Sequence, residues 1–340
     1  DPLWSRGLGD VYKRQLPIIL NIVQLVGWGT FELVVMRDAT VAIGQQSGAM
    51  AGAHWPVLAT LLWGGVVMLL ISGSMVQLVR KLIARIALPL VVLSLLWLSW
   101  QFLSLAQTQG FEALWTRKGD GGMGVLPALD LVIAMPISWL PLVADYARHG
   151  KNGGSALRGT WLGYALANIW CYSLGVLVAL TLPSQDLVQA LLLAQGGLIA
   201  LSLILIDEVD NAYGDAYSGA VSAHSLLPRW GVRAWGLLVA ALCTGLALVL
   251  PMHSLEPFLL LLSSVFVPLF GVILGRLAFG TDAPALLAVA RKVNAAPVAI
   301  WLAGIAVYHL APKALPDAGS ALPALVFSFV LAWATRPKAH

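Results

Sequence analysis

The feature that most limits what this chain can become is a succession of apolar stretches, each long enough to cross a bilayer. Ten can be marked, at roughly 16–36, 55–73, 86–106, 126–147, 159–182, 187–209, 234–251, 256–275, 296–312 and 319–335. A bilayer core asks for about 20 apolar helical residues per crossing, and a water-soluble core has no use for that length so many times over. Only 11% of the 340 residues are charged, against about 25% in soluble domains, and the mean hydropathy is +0.84. Backbone groups inside lipid must be satisfied within the segment. The expected fold class is therefore all-α integral membrane, about 10 transmembrane helices with no soluble domain between them.

The basic residues orient these spans. With residue 15 placed in the cytoplasm, the loops on that side hold thirteen Lys and Arg, among them Arg80, Lys81, Arg85, Arg229 and Arg233. The opposite loops hold four: Arg37, Arg117, Lys118 and Lys313. That positive-inside bias predicts a multi-pass protein of the cell's inner membrane with a cytoplasmic C-terminus. It also accounts for the net charge of +4 without nucleic acid, because the basic residues are spread over five cytoplasmic segments and form no single patch.

Other chemistry is thinly represented. Cys171 and Cys243 both lie in apolar runs and read as two buried thiols, not a disulfide. The six histidines are scattered, with no metal-ligand spacing. No GxxxxGK[ST] and no helix-opening GxGxxG occurs. The first fifteen residues, DPLWSRGLGDVYKRQ, are polar and lack a signal-peptide core. They are expected to be a non-native or disordered segment, resembling translated adapter sequence, with a short cytoplasmic tail as the alternative. Residues 16–340 form the expected transmembrane domain.

Acids at membrane depth are costly and usually face a cavity or each other. In NIVQLVGWGTFELVVM, Gln24, Trp28 and Glu32 recur every four residues, so neighbours in the series share a helix face. An aromatic plane beside an acceptor carboxylate suits a flat, nitrogen-rich ring; a helix–helix contact is the alternative. In LDLVIAMPISWLPLVADYARHGK, Pro136 and Pro141 flank Trp139. Each proline removes a backbone hydrogen bond, which points to a broken helix of the kind that builds midplane sites, or else to a packing kink. Asp145 beside Arg148 reads as a structural pair or gate, and Asp130 as solvated. The segment LILIDEVDNAYGDAYSGAVS concentrates Asp207, Glu208, Asp210 and Asp215 after an apolar run. Asp207, Asn211 and Asp215 are four apart and lie along one side of a helix. These acids face water at the cytoplasmic mouth, or are protonated, or enclose a cation.

Together NIVQLVGWGTFE, SWLPLVADYARHGK, DNAYGDAYSGAVS and SVFVPLFGVILGRL resemble the nucleobase–cation symporter-1 family of purine/cytosine permeases. SWLPLVADY is most similar to its hydroxymethylpyrimidine transporter branch, CytX. The resemblance covers 16–335 and implies the LeuT-type inverted-repeat fold, incomplete here, with the spans matching helices 3–12 of twelve and the natural chain starting upstream. It implies a secondary active, cation-coupled importer of a pyrimidine such as cytosine or hydroxymethylpyrimidine, a thiamine precursor. Trp28 and Glu32 match the family's third-helix Trp and hydrogen-bonding partner, where Gln is common. Asn211 and Asp215 match its eighth-helix asparagines, and Trp139 stands for its sixth-helix Trp, although nearer to Asp145 and Tyr146 than the family's is. The Ser/Thr pair of sodium-coupled members is Val209 and Asp210 here, so Asp207 or Asp210 is expected to bind the coupling cation, Na+ or H+. No other cofactor and no resident metal is implied; the partners are the small-molecule pyrimidine, the cation and the lipid bilayer. The rival reading is an intramembrane Mg-dependent prenyltransferase using the Asp-rich segment 207–215. It would need a second Asp-rich motif, and none is found.

Overall fold

The structure is a computed structural model that describes residues 11–335, apart from 49, 51, 74–84, 87, 119–121, 141–142, 144–146, 148–149, 184–186, 251–254 and 278–294. Regular structure among the described residues is helical. In chain order the helices are α1 (Val11–Gln46), α2 (Trp55–Ser72), α3 (Leu88–Gln109), α4 (Phe111–Trp115), α5 (Val125–Ser138), α6 (Gly153–Thr181), α7 (Leu187–Leu193), α8 (Gly197–Leu226), α9 (Val232–Val249), α10 (Glu256–Leu277), α11 (Ala295–Ala314) and α12 (Ala321–Ala334). Six of them, α1, α2, α3, α6, α9 and α10, are long and apolar enough to cross a membrane by length and composition alone.

The elements fall into two compact units. One comprises Pro17–Lys118 and Ala165–His253, the other Gly119–Tyr164 and Ser254–His340 together with Asp1–Leu16, so the divisions fall within α1 and within α6. The first unit holds α1 from Pro17 onward, α2, α3 and α7–α9 around a core that includes Leu33, Met36, Leu98, Phe102, Leu205 and Val239. Its helix ends are closed by side chains reaching across. Arg117 Nη1 donates to the Leu180 carbonyl at 2.9 Å and Gln109 Nε2 to the Thr181 carbonyl at 3.2 Å, which satisfies carbonyls that the last turn of α6 cannot pair internally. Trp97 Nε1 of α3 donates to the Gln195 carbonyl at 2.7 Å, just before α8.

The second unit packs α5, α10, α11 and α12 around Val267, Tyr308, Ala321 and Ala324. Its polar tie is Asp130 on α5. This residue is only 4% exposed, and its carboxylate accepts the backbone N–H groups of Ser320 at 2.5 Å and Ala321 at 2.9 Å, at the start of α12. The expectation that Asp130 is solvated is therefore corrected. A carboxylate at a helix N-terminus satisfies orphan donors and meets the positive end of the helix dipole. Gly319 precedes those donors with φ +67°, a conformation that favours glycine.

Three boundaries depart from expectation. α1 begins at Val11, inside the segment set apart as 1–15, and runs on to Gln46. Arg37, assigned to a loop from sequence, is inside the helix, where it pairs with Asp38 at 2.7 Å and donates to the Ala247 carbonyl at 3.1 Å. The run 187–209 is two helices. Gly196, at φ +73°, turns the chain between α7 and α8, and α8 continues to Leu226. The acids therefore sit inside a helix of 30 residues, about 45 Å long at 1.5 Å per residue, and not at its end. α5 ends at Ser138, with a turn at Trp139, and the readings of Pro141, Asp145, Tyr146 and Arg148 lie outside the described residues. Cys171 and Cys243 are both free, but Cys171 is exposed, because α6 turns most of its surface outward; only Cys243 is buried.

Candidate functional site

The first unit contains an antiparallel seam between α1 and α8. At one end Asn21 Nδ2 donates to Ser222 Oγ at 3.1 Å. Next, a Cβ placed on Gly219 would stand 3.8 Å from Leu25 Cβ. A Cβ on Gly29 would stand 3.7 Å from Asp215 Cβ. At the far end Glu32 meets Asp215 and feels the charge of Glu208. The register follows from helical spacing: 21, 25, 29 and 32 form one stripe of α1, while 208, 215, 219 and 222 form one stripe of α8. Glycine on each helix lets the backbones approach closely enough for short side chains to meet. Helix α9 closes a third side. Val239 lies over Gly219, and Cys243 Sγ would be 3.2 Å from a Cβ on Gly29; the thiol donates to the Val26 carbonyl at 3.5 Å.

Polar side chains are concentrated on this seam. Gln24, Trp28 and Glu32 are all buried, and so is Asp215, at 2% exposure. Gln24 Nε2 donates to Asn21 Oδ1 at 2.9 Å, extending the polar line from α1 to Ser222. Trp28 packs edge-on against Phe31, ring centroids 6.0 Å apart. Glu32 and Asp215 lie within hydrogen-bonding reach of each other. Yet Glu32 Oε2, Asp215 Oδ2 and Gln24 Oε1 are buried and accept no hydrogen bond among the described residues. Buried acceptors without donors are costly, so the arrangement suits a ligand that brings N–H groups, a proton or a cation.

The structure brings Glu32 and Asp215 together, with Trp28 buried one turn before Glu32 on α1. Asn211 is exposed on α8 and bonds to Glu208. Asp207 is half-buried and in electrostatic contact with Asp210 and Glu208, a little over two turns before Asp215. Val209 is buried. Trp139, half-buried, belongs to the other unit. Two members of the seam were not given a site role from sequence: Glu208, noted there only among the clustered acids, and Cys243. Glu208 precedes Asp215 by seven residues, two helical turns and within about 20° on the helical wheel; that spacing, and not the four-residue one, was the signal. Cys243 carried none, because α9 meets α1 only through tertiary packing.

The comparisons with known proteins agree on one class. Residues 2–335 match the family described as permease for cytosine/purines, uracil, thiamine, allantoin. Among solved structures the chain is similar to Mhp1, a nucleobase-cation-symport-1 family transporter, in a closed conformation with bromovinylhydantoin bound. The TM-score is 0.66 at 17% identity, over 94% of this chain and 74% of that one. No curated protein matches. The fold is thus the LeuT-type fold that the sequence resemblance implied. A family of permeases, not enzymes, removes the prenyltransferase reading of residues 207–215.

Proposed function

The chain belongs to the family of permeases for cytosine/purines, uracil, thiamine and allantoin, and from that premise we propose that it imports an aminopyrimidine, hydroxymethylpyrimidine or cytosine, together with a coupling cation. The observation that carries this reading is the buried Glu32–Asp215 contact, one helical turn from Trp28, in which Glu32 Oε2 and Asp215 Oδ2 accept no hydrogen bond among the described residues. An aminopyrimidine has a flat ring to lie against an indole. Its amino group and basic ring nitrogen offer two adjacent donors to a carboxylate, a charge-assisted pairing. A ring bearing carbonyls in those places would set acceptor against acceptor. Asn211, exposed one turn from Asp215, supplies an amide to the open side of the site. Asp207 and Asp210 keep the approach to it negative, which draws in a cation. Transport proceeds by alternating access in the inner membrane, with the C-terminus in the cytoplasm, as the distribution of basic residues supports.

Uptake of radiolabelled hydroxymethylpyrimidine, cytosine and uracil by cells expressing the protein tests the reading. Saturable uptake of an aminopyrimidine, competed poorly by uracil and lost in Asp215→Ala, is the expected result. Uptake of uracil in preference to both aminopyrimidines would overturn it.

A further inference from the structure

We propose that Glu32 and Asp215 share one exchangeable proton across the α1–α8 seam, and that this proton is the coupling ion. The coupling half rests on the importer reading above; the proton site itself rests on geometry. Two carboxylates are both acceptors, so side chains within hydrogen-bonding reach of each other form that bond only when one of them holds a proton. Glu32 is 4% exposed and Asp215 is 2% exposed, so both are shielded from bulk water. An independent sign is that Glu32 Oε2 and Asp215 Oδ2 accept no hydrogen bond among the described residues. This contrasts with the ordinary fate of buried carboxylate oxygens, which are hydrogen-bonded.

The groups that face the pair do not neutralise it. Glu208 of α8 and Cys243 of α9 are the titratable neighbours acting on it, and neither brings positive charge. No Lys, Arg or His among the described residues acts on it. Arg37, the nearest cation along α1, is committed to Asp38 and the Ala247 carbonyl. Among the described residues no group of three or more His, Cys, Asp or Glu could hold a metal ion.

The proton then has a mechanical consequence. With it in place, α1 and α8 are tied at Glu32–Asp215 and the pair carries one negative charge. Without it, two negative charges repel across a low-dielectric seam. The proton taken up outside is released inside, one for each substrate carried, so charge and mass balance without a further reactant.

Infrared spectroscopy of the purified chain in nanodiscs, in H2O and D2O, reads the proton directly. A protonated-carboxyl C=O stretch is expected in the wild type. It should be lost in both Glu32→Gln and Asp215→Asn and retained in Glu208→Gln. Absence of the band in the folded wild-type chain, or its survival in both seam variants, would overturn the proton site, and the wild-type measurement decides this even if a variant misfolds. In proteoliposomes, an inward proton gradient without sodium should accelerate cytosine or hydroxymethylpyrimidine uptake at least tenfold, and a protonophore should abolish it. Uptake driven by sodium alone, indifferent to the proton gradient, would overturn the coupling. If the band is present but neither gradient drives uptake of any pyrimidine, the importer reading fails, the coupling half fails with it, and the shared proton stands.

Discussion

Asp130 and Asp215 are equally well hidden, at 4% and 2% exposure, and lie in different units. The Asp130 carboxylate accepts two backbone N–H groups where α12 begins. Asp215 faces another carboxyl, and its Oδ2 accepts nothing among the described residues. One acid is spent on architecture, and the other is kept available. Burial alone does not separate them; accounting for donors does. A buried carboxylate with its hydrogen bonds filled is a structural part, while one left without donors stores a demand that a ligand can meet.

Substitutions at the two aspartates can break that contrast. Asp215→Ala should weaken aminopyrimidine binding about tenfold to a hundredfold, since a lost charge-assisted contact is worth about 1.5–3 kcal/mol and tenfold in affinity is about 1.4 kcal/mol. Its melting temperature should hold or rise, because an unsatisfied buried acid is removed. Asp130→Ala should do the reverse, lowering stability by about 3 kcal/mol as the Ser320 and Ala321 N–H groups lose their acceptor, while the protein that remains folded binds normally. Thermal unfolding in detergent and equilibrium binding on the same preparations check both. A melted Asp215→Ala beside a non-binding Asp130→Ala would reverse the assignment.

Smaller effects sharpen it. Glu32→Gln keeps the shape and gives up the charge; binding should weaken about tenfold, with a relative gain for uracil that competition assays would read. Gly29→Ala places a methyl 3.2 Å from Cys243 Sγ, so the thiol must shift; a loss of about 1 kcal/mol in stability is expected, recovered in Gly29→Ala/Cys243→Ala. Asn211→Ala, at an exposed position, should cost the least, threefold to tenfold in affinity, the range of one neutral hydrogen bond of about 0.5–1.5 kcal/mol.

Much of this was legible in the chain. The expected apolar spans fall on helices among the described residues, with 187–209 divided between two of them and 126–147 covered by α5 as far as Ser138, since a membrane leaves the backbone few other ways to satisfy itself. The face Gln24, Trp28, Glu32 was legible too, because intrahelical spacing is fixed by 3.6 residues per turn. Asp130 was misread for the opposite reason. Its donors lie 190 and 191 residues away, and no local pattern announces them. The end of the run at 209 was misplaced because hydropathy falls where acids begin, while the helix itself needs only backbone bonds and continues to Leu226.

The sequence by itself therefore determined the class: helices, a membrane, a permease, and a few acids too expensive to be idle. Those are consequences of composition and short-range periodicity, which a linear chain displays in full. Only the tertiary structure decided which acids meet, which are satisfied, and that half-buried Glu208 acts on the Glu32–Asp215 pair while Asn211 is exposed. Those outcomes depend on how two helices are set side by side, and in this chain that register is fixed by small residues, Gly29 and Gly219, that leave no periodic signal of their own.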